Sequence, residues 1–218
     1  LRHRLALALL TTAVLSAACS RTGNVTGEIV VTTPSGSEQR AAHATLLAVQ
    51  ATKSFERDWQ ATVAAFEEEL APARQGRDEA AQSLEGARLA WTKAVGTTPA
   101  GGRRRHGVLT SARHRELWAA VRAAERRLAA AEGRMRDIGQ RHDPLGTALV
   151  ERYATQRIEA DAQGHYVLAA LPAGPVYLYV RLTVARQTVL WFRPVTVRPG
   201  IQRLDLRTAN AGGWPFLW

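Results

Sequence analysis

The sequence predicts an α+β fold: a seven-stranded β-sandwich whose chain is interrupted by a long antiparallel helical hairpin. Three observations carry this prediction. Residues 25–49 and 154–208 are rich in β-branched and aromatic residues cut by turn signals, while residues 50–153 hold no β-rich run and repeat large apolar residues at helical spacing. A break, GTTPAGGRRRHGV at 96–108, divides that middle segment in two.

The chain opens Leu1-Arg2-His3-Arg4, continues with 11 uncharged residues from Leu5 to Leu15, and then reaches Ser16, Ala17 and Ala18. A membrane-spanning helix needs about 20 apolar residues, so this run predicts a processed signal segment, residues 1–18, rather than a span. The only cysteine of the chain, Cys19, follows directly. Leu15-Ser16-Ala17-Ala18-Cys19 resembles a bacterial lipoprotein processing box, with Ser16 where the usual leucine stands and Leu15 one step further out. The resemblance implies lipid attachment at Cys19, a membrane partner through that lipid, and a short tether over 19–24. Cleavage there leaves 27 Lys and Arg against 19 Asp and Glu, a net charge of +8. Basic chains often bind nucleic acid. An exported chain meets little of it, and the arginines are spread over many positions, so most read as a solvated surface that favours anionic polymers of the cell envelope, with no nucleic acid expected as a partner.

Ile29-Val30-Val31 and Ala44–Val49 predict the first two strands, separated by a Thr/Pro/Ser/Gly turn. In the later segment Val176, Leu178, Val180 and Leu182 alternate with Tyr177, Tyr179, Arg181 and Thr183, the period of a half-buried strand. Turn signals at 161–164, 172–175, 185–187 and 199–200 cut this segment into five strands. Neither segment suffices for a core alone. Together they make roughly 80 residues, close to a small immunoglobulin-like module, so the hairpin of residues 50–153 is expected as an insertion between the second and third strands.

Within the insertion, Leu117, Val121, Ala124, Leu128, Ala131, Met135 and Ile138 follow alternating spacings of four and three, a heptad seam. Trp59, Val63, Phe66, Leu70, Ala73, Ala80, Leu84, Ala87 and Trp91 keep the same register, broken where Arg77 falls on it. Pro72 and Gly76 predict a kink or short interruption nearby. Two seams and one turn predict a coiled-coil hairpin with arms of about 45 Å. His142-Asp143-Pro144 reads as a helix-ending turn.

The β segments resemble the carboxypeptidase regulatory-like, or transthyretin-like (prealbumin-like), domain. The likeness lies in Val25-Thr26-Gly27-Glu28-Ile29-Val30-Val31, in Ala160-Asp161-Ala162-Gln163-Gly164-His165-Tyr166-Val167-Leu168, and in Leu171-Pro172-Ala173-Gly174-Pro175-Val176-Tyr177-Leu178. It implies turn roles for Asp161, Gly164, Pro172 and Gly174, and a core position for the aromatic Tyr166. Such modules are commonly non-catalytic units of adhesion, spacing or carbohydrate contact, and the inserted hairpin is no part of the basic domain.

Little chemistry is visible otherwise. The histidines show neither His-x-x-x-His nor His-Glu-x-x-His spacing, and no calcium loop, nucleophile elbow or phosphate loop occurs. Glu67-Glu68-Glu69 reads as a solvated helix face. No enzyme, metal or cofactor is therefore expected. Two surfaces stand out. Arg103, Arg104 and Arg105 at the hairpin tip offer guanidinium groups to phosphate or carboxylate. The tail of residues 209–218 carries Trp214, Phe216, Leu217 and Trp218, which must fold back onto the sandwich or meet a partner; fold-back is the expectation. The sequence thus points to a non-catalytic, lipid-anchored envelope module that uses its hairpin for protein or envelope-polymer contact. The alternative is a soluble exported carbohydrate-binding module in which Tyr177, Tyr179 or Trp191 stack on sugar rings.

Overall fold

The computed structural model describes residues 22–96 and 109–217. Their order is β1 (Thr22–Thr32), β2 (Glu38–Arg40), β3 (Thr45–Gln50), α1 (Lys53–Gly96), α2 (Leu109–Tyr153), β4 (Ala154–Glu159), β5 (His165–Pro172), β6 (Gly174–Val184), β7 (Gln187–Val197), β8 (Gly200–Arg203) and β9 (Leu206–Arg207), followed by a short 3-10 turn. The class is α+β, with two helices and two sheets. The strands among the described residues number nine rather than seven. The additions are explained by β2 and β9, three and two residues long, which lack any hydrophobic run and exist through backbone pairing to β1.

One sheet is built around β1, antiparallel to β2 and β5 and parallel to β8 and β9. The other has the order β4-β3-β6-β7, all antiparallel. Their facing sides share a core of Val25, Ile29, Leu46, Leu168, Leu178, Val180, Trp191 and Leu206. Polar atoms taken into it are satisfied. The Trp191 indole donates to the Arg207 carbonyl and the Asn210 side chain, both at 3.0 Å, and the Tyr166 hydroxyl donates to the Leu204 carbonyl. Burial pushes the Tyr166 phenol well above its ordinary value.

The second sheet is apolar on both faces. In β3, Leu46 and Ala48 enter the sandwich while Leu47 and Val49 point the other way; in β7, Val189 and Trp191 alternate with Leu190 and Phe192 in the same manner. The outward set is covered by the lower part of the hairpin through Phe55, Phe66, Leu70, Ile138, Leu149 and Val150. The architecture is therefore three layers, sheet on sheet on helix pair. The period-two reading of β6 as half-buried is corrected accordingly, because Tyr179 is buried and Tyr177 packs against this second core.

Both helices are longer than expected, 44 and 45 residues, or about 66 Å each. The interruption expected near Pro72 and Gly76 is absent from α1, and α2 runs through Pro144 instead of ending there. An internal proline removes one helical hydrogen bond and costs about 3 kcal/mol. Here Pro72 and Pro144 both face solvent, and buried neighbours hold each helix on either side: Leu70 and Ala80 in α1, Ile138 and Leu149 in α2. Thr52 starts α1 by accepting the Phe55 amide at 3.2 Å.

The tail folds back, but onto the junction of sheet and hairpin. Gly212 adds to the edge of β7, accepting from the Phe192 amide at 2.9 Å and donating to the Leu190 carbonyl at 2.8 Å. Gly213 has φ of 82°, and a Cβ there would stand 2.1 Å from the Phe192 carbonyl oxygen, so only glycine fits. Trp214 and Phe216 are then buried in the second core.

Candidate functional site

The base of the hairpin is an aromatic joint. Trp59 of α1 contacts Phe192 of β7, and Trp214 and Phe216 of the tail, with ring centres 4.5, 5.3 and 5.8 Å away. Phe66 meets Phe216 edge-on at 5.0 Å. The tail approaches α2 where Gly146 leaves room, since a Cβ there would lie 2.3 Å from the Phe216 ring. Asp143 ties three elements together: one carboxylate oxygen accepts the Trp214 indole and the other the Arg181 guanidinium, both at 2.7 Å. Asp58 accepts the Tyr153 hydroxyl at 2.6 Å. That bond, followed by the one from Arg57, holds the Asp58 carboxyl below the usual range.

Glu67-Glu68-Glu69 is not simply a solvated face. Glu69 bridges to α2, accepting from His142 at 2.8 Å and pairing with Arg141, and these bonds depress its carboxyl. Glu67 pairs with Arg74 in its own helix. His142 is buried against Phe66, and its Nδ1 has no hydrogen-bond partner among the described residues.

Among the described residues, α1 joins the second core only as far as Ala73. The buried cluster of the distal part is Leu84, Val121 and Ala124, with Ala87, Trp91 and Leu128 partly covered, all from the two helices. Here lies the best candidate contact surface. Trp118 stands one position past the seam residue Leu117, which turns it about 100° off the seam, and it is 46% exposed. Its ring centre is 5.3 Å from that of Trp91, with 49° between the planes, and Trp91 in turn lies 4.1 Å from His114. The Arg122 guanidinium sits over the Trp118 ring, 5.5 Å from its centre. Arg88 and Glu125 cross-link the helices beside this group at 3.2 Å. Among the described residues of 85–127, seven Arg and Lys stand against three Glu, so this part of the hairpin carries excess positive charge.

Of the residues singled out from sequence, Cys19, Arg103, Arg104 and Arg105 lie outside the described residues. The Asp161 carboxylate accepts the amides of Gln163 and His165, both at 2.8 Å, and these backbone bonds depress it. Gly164 (φ 77°) closes that turn, and its carbonyl receives the Ile29 amide at 2.9 Å. Pro172 ends β5 and Gly174 (φ 126°) begins β6, one residue apart. The structure does not offer Tyr177, Tyr179 and Trp191 for sugar stacking. Trp191 is fully buried, Tyr179 is 5% exposed, and Tyr177 stacks on Phe192 at 5.0 Å under α1. No group of three metal-ligating side chains occurs among the described residues, and no described helix is long and apolar enough to cross a membrane. Trp118 and Arg122 lie off the heptad seam and so escape its periodicity; their signal in the sequence is a tryptophan just off the seam with an arginine four residues on.

No protein-family model and no curated protein sequence matches the chain. Among solved structures, it is similar to a candidate carbohydrate-binding protein of Pseudomonas aeruginosa, with 14% identity and a TM-score of 0.35 over 85% of this chain and 88% of that one. It is also similar to the pilus backbone protein RrgB of Streptococcus pneumoniae, with 11% identity and a TM-score of 0.24 over 81% of this chain. The match spans 35% of that pilin, about a third of its length. At these values the likenesses carry no functional inference.

Proposed function

We propose that this chain is a non-catalytic, exported interaction module of the cell envelope. A carboxypeptidase regulatory-like sandwich serves as its base, and a coiled-coil hairpin carries a contact surface away from it. Cys19 is the proposed point of lipid attachment and Arg103–Arg105 the proposed basic tip, with a protein or an anionic envelope polymer as the counterpart. One observation carries the reading: the hairpin base is joined to the sandwich by an aromatic core, while beyond Ala80 the buried cluster among the described residues comes from the two helices alone and a half-exposed tryptophan stands beside Arg122. An arm whose outer ~24 Å, among the described residues, buries its apolar side chains against the partner helix is suited to reach. The soluble carbohydrate-binding alternative drew on Tyr177, Tyr179 or Trp191, but Tyr179 and Trp191 are buried and Tyr177 is stacked on Phe192.

The test is sedimentation of the chain with isolated bacterial envelope fragments, with and without residues 81–127. Binding by the full chain and loss in the shortened one is the expected result. Equal binding by both would place the contact on the sandwich. Separately, the intact mass of membrane-recovered protein should show a chain beginning at an acylated Cys19; an unmodified cysteine would sink the anchor.

A further inference from the structure

The contact-arm reading leaves the counterpart open, and the distal face narrows it. We propose that Trp91, His114, Trp118 and Arg122 form a subsite for one or two sugar units of an acidic polysaccharide, a uronate- or phosphate-bearing glycan. This rests on the reading of the hairpin as a contact arm.

Three features favour that ligand. The two indoles meet at 49° with centres 5.3 Å apart, and Trp118 is 46% exposed, so the pair forms a shallow aromatic angle open to solvent. The C–H face of a sugar ring packs against such a surface as any apolar group does. Arg122 stands over the Trp118 ring and makes no ion pair with a described residue, which leaves a guanidinium beside the stacking place for a carboxylate or phosphate oxygen. Among the described residues of 85–127, seven cations stand against three anions, a field that draws polyanions.

The other occupants fit less well. A protein interface buries about 800 Å² on each side, and the two indoles, with Arg122 over one of them and the Arg88–Glu125 pair on the same hairpin, supply only part of such an area as apolar surface. A second copy of the chain would set like charges against each other. A nucleic acid supplies charge and flat rings, yet parallel platforms suit stacked bases and these rings are tilted.

The experiment is calorimetric titration of the full chain with oligouronate from alginate, with a neutral maltooligosaccharide and a single-stranded DNA oligomer as comparisons. Oligouronate is expected to bind, and the neutral sugar not. Trp118→Ala should weaken oligouronate binding about tenfold, the equivalent of one aromatic stacking contact. Arg122→Gln should weaken it and flatten its salt dependence. Both positions are exposed, so unchanged melting temperatures verify the fold of each variant. Absence of oligouronate binding, equal binding by both variants, or tighter binding of DNA would overturn the proposal. If the full chain still sediments with envelope fragments in that case, only this ligand class falls; if it does not, the contact-arm reading falls with it.

Discussion

The two halves of the hairpin are built on the same repeat and stabilised very differently. Below Ala80, seam residues such as Phe66, Leu70, Met135 and Ile138 join a core that also contains the outer face of a sheet and the C-terminal tail. Above it, Leu84, Val121 and Ala124 bury themselves against the opposing helix alone. Two helices without a third element cover only one stripe of each, so side chains off the stripe, Trp118 and Leu89 among them, stay in solvent. The proximal half is thus part of the domain's stability, and the distal half is surface.

Removing each half in turn is the strongest way to break this comparison. Replacing residues 54–150 with a short Gly-Ser loop would bare Leu47, Val49, Tyr179, Leu190, Phe192, Trp214 and Phe216 together, and the product is expected to aggregate or lose its cooperative melt. The sequence reading of the hairpin as a plain insertion predicts a folded sandwich instead, and soluble, cooperatively melting protein from that deletion would restore it. Replacing only residues 81–127 should leave a folded, soluble protein by near-ultraviolet circular dichroism; collapse of that variant would show the two halves to be one unit.

Single core truncations sharpen the same contrast. Phe66→Ala, in the fully buried joint, should cost about 3–5 kcal/mol, and Leu84→Ala, in the thin seam, about 2 kcal/mol, read from urea midpoints. Equal losses would argue that the distal pair is packed as firmly as the base.

Gly146→Ala should cost about 1–3 kcal/mol by overpacking, because its Cβ collides with the Phe216 ring, and it should make the tail sensitive to protease. A protected tail in that variant would mean the tail docks without the close approach.

Acid should loosen the base before the seam. Asp58 and Glu69 are both held below ordinary carboxylate values, first by bonds from Tyr153 and His142 respectively and then by Arg57 and Arg141. A depressed carboxyl contributes stability that is complete above its unfolded value, about pH 4, and is lost as pH falls through the lower folded value. The urea midpoint should therefore drop between pH 5 and pH 3, and Asp58→Asn should drop less over that range. An identical acid response would remove Asp58 from the account. The smallest effect belongs to Trp118→Ala, expected to change stability by less than about 1 kcal/mol because the side chain is half exposed.

What the sequence by itself determined were the features encoded by neighbours along the chain. The two helical arms follow from seams at alternating spacings of four and three. The Asp161–Gly164 turn follows from an acid that bonds amides two and four residues on. Only the tertiary structure decided how these parts meet. Strand β6 alternates in a way that fits one buried face, and nothing local says that its tyrosine side is roofed by a helix pair more than 20 residues away in sequence. Locally Pro72 signals a kink or interruption and Pro144 a helix end, yet long-range burial on either side of each offsets a lost hydrogen bond. The tail's aromatics announced that they needed cover, but their destination depended on the space at Gly146 and on the carboxylate of Asp143. Trp118 was legible only as an off-seam aromatic; its partnership with Trp91 exists because the hairpin closes. Backbone propensity and periodicity act over a few residues, whereas the burial of a face is set by whatever the rest of the chain brings to it.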